Sequence, residues 1–534
     1  MPSAHYVIVG AGSAGCVLAN RLSEDPSTRV LVLEAGGSDR DLNVMIPLAF
    51  SAQFHGKRDW DYSTEPEPGA ANRRLYVPRG KQLGGCSAMN AMLYVRGRPL
   101  DYDLWEEQGA SGWGWKDVQP YFLRSEDNAR GASEHHGAGG ELRVEEHREA
   151  RAINEPILAG FEAEGIRRID DYNTPEQDGA TMFQVTQKGG RRWSAADAFL
   201  RPAMKRPNVQ VVTHAQVLRL ELEGTKVVGV RYRDKRGAEH VAHADREVLL
   251  SAGAINSPQI LMLSGIGPGA QLQQQGIPVV QDLPGVGENL QDHPMFTMNY
   301  AIRGEGAAGT LYGADKPAQL LKWLATRRGP LTSTAAESVV FWRSRPGLPA
   351  ADIQFHCGGL YYEQHGAAEH DGPAMVLVPV LVSPRSKGRV TLRSPDPLAA
   401  PAILTNALVE DEDAAALVAA VKLARRVAAS GPLAPHVDRE LLPGPSAQSD
   451  EEIDAAVRER IELIYHPVGT CKIGAADDDL AVVDPELRVR GIEGLRVVDA
   501  SVFPVIPGGN TNAPTYMVAE RAADLVRGRV PATA

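Results

Sequence analysis

The stretch that most constrains this chain is HYVIVGAGSAGCVLANRLSEDPSTRVLVLEAG, residues 5–36. Tyr6 to Val9 is a short apolar run, Gly10, Gly12 and Gly15 follow in G-x-G-x-x-G spacing, and an amphipathic segment runs to about Leu22. Val30 to Leu33 is a second apolar run, and it ends in Glu34. Strand, turn, helix, strand and acid in this order predict a unit that binds a dinucleotide, because each part has a task. Gly10 permits the tight turn, Gly12 leaves no Cβ between the backbone and a pyrophosphate, and Gly15 lets the helix pack closely on the strand. Ser13 and Ala14 open the helix whose positive N-terminus faces the pyrophosphate. Glu34, with Ala35 after it, stands where a carboxylate accepts hydrogen bonds from an adenosine ribose. The motif alone does not choose between NAD and FAD.

At 534 residues the chain is too long for one ordinary core and suits two large domains or one elaborated domain. A net charge of -11 argues against nucleic-acid binding, which needs a concentrated basic face. No apolar run reaches the length of a transmembrane helix, and the N-terminus enters a strand directly, so a cytoplasmic enzyme is the expectation. Cys16, Cys86, Cys357 and Cys471 are scattered without ligand spacing, which indicates neither disulfides nor a zinc site.

From Arg79 the sequence reads RGKQLGGCSAMNAMLYVRGRPLDYDLW. Gly84 and Gly85 beside Cys86, Ser87 and Ala88 leave little side-chain bulk. That suits a chain lying flat against a planar ligand, and it suits tight loop-to-helix packing equally well. Residues 102–122 are rich in Trp, Tyr and Phe and read as short helices under the nucleotide-binding core. Between Asn208 and Gly253, several β-rich runs separated by polar turns predict a β-meander added to that core, with Val217 in its second run. Ser257-Pro258 then reads as a helix start, stopped at Gly265 and Gly267, just after the small residues Ala252 and Gly253. Beyond about Phe296 the character changes to the β-like run AMVLVPVLV, a helical stretch from Leu408 to Ser430, and a capping box from Ser449 to Glu452.

Several stretches now combine. GKQLGGCSAMNAMLYVRGRPLD resembles the first signature of the glucose-methanol-choline family of flavoprotein oxidoreductases, and GAINSPQILMLSGIG, Gly253 to Gly267, resembles the second. PGVGENLQDHP (Pro284 to Pro294), YHPVGTCKIG (Tyr465 to Gly474) and the closing GGNTNAPTYMVAERAAD also fit, so the likeness spans the chain. Cys86 departs from the commonest residue at its position. The resemblance implies an α/β fold: an FAD-binding Rossmann-like domain with a β-meander, plus a substrate-binding α+β domain with an antiparallel sheet. The FAD-binding domain is expected over 1–155, 195–295 and 465–534, and the substrate-binding domain over 156–194 and 296–464. The late strand in GLRVVDASVFPVI returns to the first sheet and brings Asp499 and Ala500 to the ribityl and pyrophosphate of FAD.

The resemblance also implies FAD rather than NAD, and alcohol oxidation. Removing a hydride from an alcohol carbon needs a base for the hydroxyl proton and a donor for the developing alkoxide. His466, in HPVGT, and Asn510, which opens the last motif, correspond to that pair; on its own, a His before Pro is more often structural. Members with covalent flavin use a His in the first signature, and Met89 stands at that position, which implies non-covalent FAD. Asn90 and Ala91 then lie along the flavin edge, and Thr511 presents its N–H to the pyrimidine side. Glu337 and His356 resemble substrate-cavity positions. A Glu in this region faces the ammonium in choline-oxidising members, yet a packed or solvent-facing Glu337 fits equally. The expected partners are a small alcohol and an electron acceptor (a quinone, another carrier or oxygen), with a homodimer as the assembly considered. The resemblance leaves three rivals open: a choline-specific oxidase or dehydrogenase, a hydroxynitrile lyase with no net redox change, and a light-using photodecarboxylase.

Overall fold

The computed structural model describes residues 3–303, 316–368 and 370–529. The opening unit forms as its pattern dictates: β1 (Ser3–Val9), α1 (Ser13–Leu22) and β2 (Val30–Glu34), with Tyr6 to Val9 parallel to Val30 to Leu33. Strand β2 is buried along its whole length, as a near-continuous apolar run in a parallel sheet requires. The seven-stranded sheet runs Gln216–Glu223, Lys226–Arg233, Glu239–Leu250, β1, β2, Val209–Thr213, and the first three of these are the antiparallel meander. The late strand Leu495–Val497 joins this sheet in parallel beside Glu239–Leu250, one strand away from β1.

Helix α1 corrects one expectation, because every residue from Ala14 to Leu22 is buried and the helix is not amphipathic. Its outer side is covered by the last helix, which runs from Asn512 to Val526. The charge of Arg21 is taken up by Glu520 and Glu141. Trp105 and Trp113 are fully buried, and the Trp105 indole donates to the carbonyl of Val505. The aromatic-rich stretch therefore wedges beneath the returning C-terminal segment.

α2 (Gly253–Leu263) starts four residues before the expected Ser257. The Ser257 hydroxyl does not cap the helix from outside; from within it, it donates to Asp499 at 2.6 Å, and the same carboxylate accepts the Gly253 N–H. Pro258 sits inside the helix, where its missing N–H leaves the Ala254 carbonyl without its usual partner, and Thr470 Oγ1 donates to that carbonyl instead.

The second sheet has eight strands, and its main path is Val437–Leu442, Met298–Ile302, Ala374–Leu381, Ile353–Gly358, Ser338–Trp342, Gly179–Met182. Its pairings are antiparallel. Phe355, Cys357 and Leu377 pack with the helices Asn154–Ala163 and Asp411–Ala429. The alternate residues His356, Val376 and Val378 therefore face the cavity between the two sheets. No helix among the described residues is long and apolar enough to cross a membrane.

Gly12 and Gly15 separate by consequence. A Cβ on Gly15 would lie 1.9 Å from the Gly10 carbonyl oxygen, whereas one on Gly12 would meet nothing within 4 Å. Gly15→Ala is expected to cost about 3 kcal/mol of stability by overpacking. Gly12→Ala should leave the flavin-free fold at least as stable while abolishing dinucleotide retention. Thermal unfolding and cofactor content after gel filtration check both.

Candidate active site

One continuous cavity runs from the G-x-G-x-x-G turn to His466. At the turn, Gly10 has φ +100°, and a Cβ there would lie 2.5 Å from the Ser251 carbonyl oxygen, so only glycine is tolerated. Glu34 accepts the Ala11 N–H (2.8 Å) through one oxygen and the Gly36 N–H (2.7 Å) through the other. It therefore braces the turn as well as facing the cavity. Burial pushes its carboxyl up to about 7. Asp499, raised in the same way, ties the end of the late strand to the first turn of α2.

Of the residues assigned to the cofactor, all but Gly15, Gly84 and Ser87 line this cavity. Gly15 is the helix-to-strand contact already described. Gly84 and Ser87 lie outside the lining: Gly84 donates its N–H to the Ala11 carbonyl, and Ser87 Oγ donates to the Gly84 carbonyl while accepting the Ala195 N–H. Loop packing therefore decides Gly84, while a Cβ on Gly85 would lie 2.7 Å from Gly12 Cα, and Gly85 also lines the cavity.

At the other end His466 and Asn510 meet, with His466 Nε2 3.3 Å from Asn510 Nδ2. Asn510 Oδ1 accepts from Gln354 Nε2 at 3.3 Å, an arrangement that leaves the amide NH2 turned toward the imidazole. His466 Nε2 is then an acceptor, so the ring proton sits on Nδ1 and points at His293 Nδ1, 3.0 Å away. In this assignment the His293 proton goes to Nε2, on the side of the ring where the carbonyls of Pro507 and Val382 act on it, although Nε2 makes no hydrogen bond among the described residues. Buried Asp292 holds both histidines by their backbones, accepting the N–H of His466 (2.7 Å) and of His293 (2.8 Å) through one oxygen. Burial pushes Asp292 up to about 7, and it lowers His293 and His356 to about 3. Burial, then His293, His356 and Arg79, hold His466 well below the ordinary histidine range. All three imidazoles are neutral at physiological pH.

His356 lines the cavity, its ring edge-on to Phe183. Glu337 does not, which corrects the expectation of a substrate contact. Its side chain is fully buried, and one oxygen accepts from the Arg151 N–H (2.9 Å) and from Asn154 Nδ2 (2.5 Å). A buried carboxylate goes where donors are, and here they stand at the start of the Asn154–Ala163 helix. His293, Asp292, Gln354 and Arg79 were not singled out from the sequence. The adjacent Asp and His of NLQDHP were the signal available for the first two.

The GMC oxidoreductase family model matches residues 4–295 and its C-terminal counterpart matches residues 384–519. The chain belongs to the GMC oxidoreductase family. It is 43% identical over 527 residues to an alcohol dehydrogenase [acceptor] of Pseudomonas putida, covering 98% of this chain and 95% of that protein. It is 44% identical over 536 residues to the human mitochondrial choline dehydrogenase, covering 98% and 90%. Among solved structures it resembles pyridoxine 4-oxidase from Mesorbium loti, with a TM-score of 0.89, 32% identity and coverage of 99% and 100%. This GMC protein is thus an FAD-dependent oxidoreductase acting on CH–OH donors. The open space at Gly12 is the cradle an FAD pyrophosphate needs.

Glu34→Gln replaces one acceptor by an NH2 that confronts a backbone N–H, a mismatch worth about 1–3 kcal/mol. FAD should be retained less well, and the holoenzyme that remains should react at nearly the parent rate. Flavin content and single-turnover rates of the same preparation check this.

Proposed function

We propose that this GMC protein oxidises a primary alcohol to the aldehyde, with His466 as the base and Asn510 as the donor to the substrate oxygen. The observation that carries this reading is the approach of His466 Nε2 to Asn510 Nδ2, 3.3 Å apart, between two residues that line the cavity. The two groups converge where a single hydroxyl oxygen would sit. The imidazole accepts the hydroxyl proton while the amide donates to the oxygen as charge develops on it. His293 is a positioning residue, because accepting the His466 Nδ1–H keeps Nε2 free. Asp292 sets the backbone on which both rings stand. His356, whose Nε2 has no hydrogen-bond partner among the described residues, offers a further polar contact to the substrate. FAD held along the cavity from Gly12 to Thr511 would supply the hydride acceptor, with a quinone, another carrier or oxygen as the alternatives for the final electron acceptor.

Non-covalent attachment follows from Met89, a cavity-lining thioether at the position where a linking His would stand. Acid precipitation should therefore release all the flavin to the supernatant. Segments 1–155, 195–295 and 465–534 would hold FAD, and 156–194 and 296–464 would cover it. A lyase reading predicts no bleaching of the flavin by an alcohol under anaerobic conditions, whereas this reading requires it.

Stopped-flow flavin reduction tests the roles. His466→Ala should slow reduction by ~10² to 10⁴-fold with FAD still bound, and Asn510→Ala by ~10² to 10³-fold. The double variant should fall short of the product of the two effects, since both groups act on one oxygen. Reduction of His466→Ala at the parent rate with saturating alcohol would end the proposal.

The pH profile gives a second check. A base with a depressed pKa loses activity only when pH falls through that depressed value. The acid limb of kcat/KM is therefore expected below the ordinary histidine value of 6.5. His293→Ala removes the Nδ1 partner and should lower the rate and displace that limb.

A further inference from the structure

Relatives named for choline and a relative named for alcohols match this chain about equally well, so identity does not choose among substrates. The chamber beside His466 does. We infer that the alcohol taken by this protein carries an uncharged, apolar tail, and that quaternary-ammonium alcohols are rejected. The inference rests on the reading that His466 and Asn510 receive the reacting hydroxyl.

Three observations carry it. The walls of the chamber are formed by Phe50, Met295, Leu360, Val376 and Val378, all buried and packed as one apolar cluster, with Ile464 beside them. Strand alternation turns Val376 and Val378 inward on the same face as His356, so the apolar wall and the polar end belong to one surface. Second, the carboxylates lining the cavity among the described residues are Glu34 and Asp499. Both lie at the dinucleotide end, and both have each oxygen engaged by a backbone N–H. Glu337 and Asp292, the buried carboxylates nearest the site, are not among the residues that line the cavity, and each turns one oxygen to donors of the protein: Glu337 to Arg151 and Asn154, Asp292 to the backbones of His293 and His466. Third, the charge that does reach the chamber has the wrong sign for an ammonium. Arg79 lines it, donates to the Tyr465 carbonyl, and acts on His466 as a nearby positive charge.

A fixed cation entering this space would lose its hydration, meet no lining carboxylate with a free oxygen, and face a guanidinium. The rings of Phe54, Tyr362 and Tyr465 offer it the attraction of an aromatic face, about 2 kcal/mol when desolvated, which is smaller than the several kcal/mol lost with an ion's hydration. An alkyl or aryl tail suffers none of these costs and gains by leaving water.

The test compares isosteres. Choline and 3,3-dimethyl-1-butanol have the same shape and differ in the charge on one atom, so their ratio reads charge alone. With the holoenzyme under anaerobic conditions, kcat/KM for flavin reduction should favour the carbon isostere by roughly 10²-fold or more. From ethanol to 1-hexanol it should rise about fourfold per methylene. Choline reacting as well as its isostere would overturn the inference.

A binding readout separates this from the catalytic reading. Tertiary alcohols, which have no hydrogen to lose, should raise the melting temperature of the holoenzyme more as their chains lengthen, while choline should not. If no alcohol reduces the flavin but this pattern holds, the chemistry falls and the pocket assignment stands; the reverse result removes only the pocket assignment. Met295→Glu places a carboxylate of similar length in the wall. In protein that retains its FAD it should lower kcat/KM for the isostere by about tenfold or more and narrow its advantage over choline. An unchanged ratio would show that Met295 does not meet the tail, contrary to the inference.

Discussion

The site depends on a contact made far from it. Arg21, near the end of α1, is held through two of its nitrogens by Glu520, whose side chain has no exposed surface, and Arg124 donates to the same carboxylate. Removing one partner of such a buried pair leaves a charge uncompensated, at a cost of about 3–5 kcal/mol. The pair therefore permits one register between α1 and the last helix. Ser13 Oγ, donating to Asn512 Oδ1 at 2.7 Å, fixes the same register at the other end. Asn510 and Thr511 precede the first turn of that helix, so the amide proposed to hold the substrate oxygen is located by an ion pair about two turns of helix further on.

Dryness does the rest. In the relay from Gln354 through Asn510 and His466 to His293, the donation of Gln354 Nε2 to Asn510 Oδ1 sets the sense in which the following contacts run. The same burial that makes the imidazoles neutral makes the relay directional. The apolar wall of Phe50, Met295, Leu360, Val376 and Val378 is part of this arrangement, since it keeps the low dielectric that both effects need.

Much of the fold was legible because its signals are local. Glycine spacing, a run of five buried residues ending in an acid, and a capping box at Ser449 and Glu452 each declare themselves within a few residues. What was not legible depends on contacts distant in sequence. The phase of a strand buried on both faces cannot be read from its own residues. Glu337 looked as much a cavity residue as His356 until the helix layer showed where its donors stand. The start of α2 at Gly253 rather than Ser257 is set by Asp499, and the apolar outer side of α1 by the final helix. His293 lies 173 positions from the ring it faces, and nothing in NLQDHP says which of its residues looks toward Tyr465-His466-Pro467.

The meeting of Ser13 with Asn512 has a consequence for how the protein is made. The two residues lie 499 positions apart, so at ordinary rates of synthesis the helix after the glycine turn exists for about 25 to 100 s before its partner is translated. During that interval the apolar flank of α1 is uncovered, and the cavity lacks the residues on either side of Thr511. The nascent chain can shape much of the nucleotide-binding sheet but cannot finish it, since Leu495–Val497 also arrives late. Cofactor capture is thereby deferred until the Asn512–Val526 helix has been made, and a chain truncated before that helix would present a sticky, unfinished half to the cell's quality control.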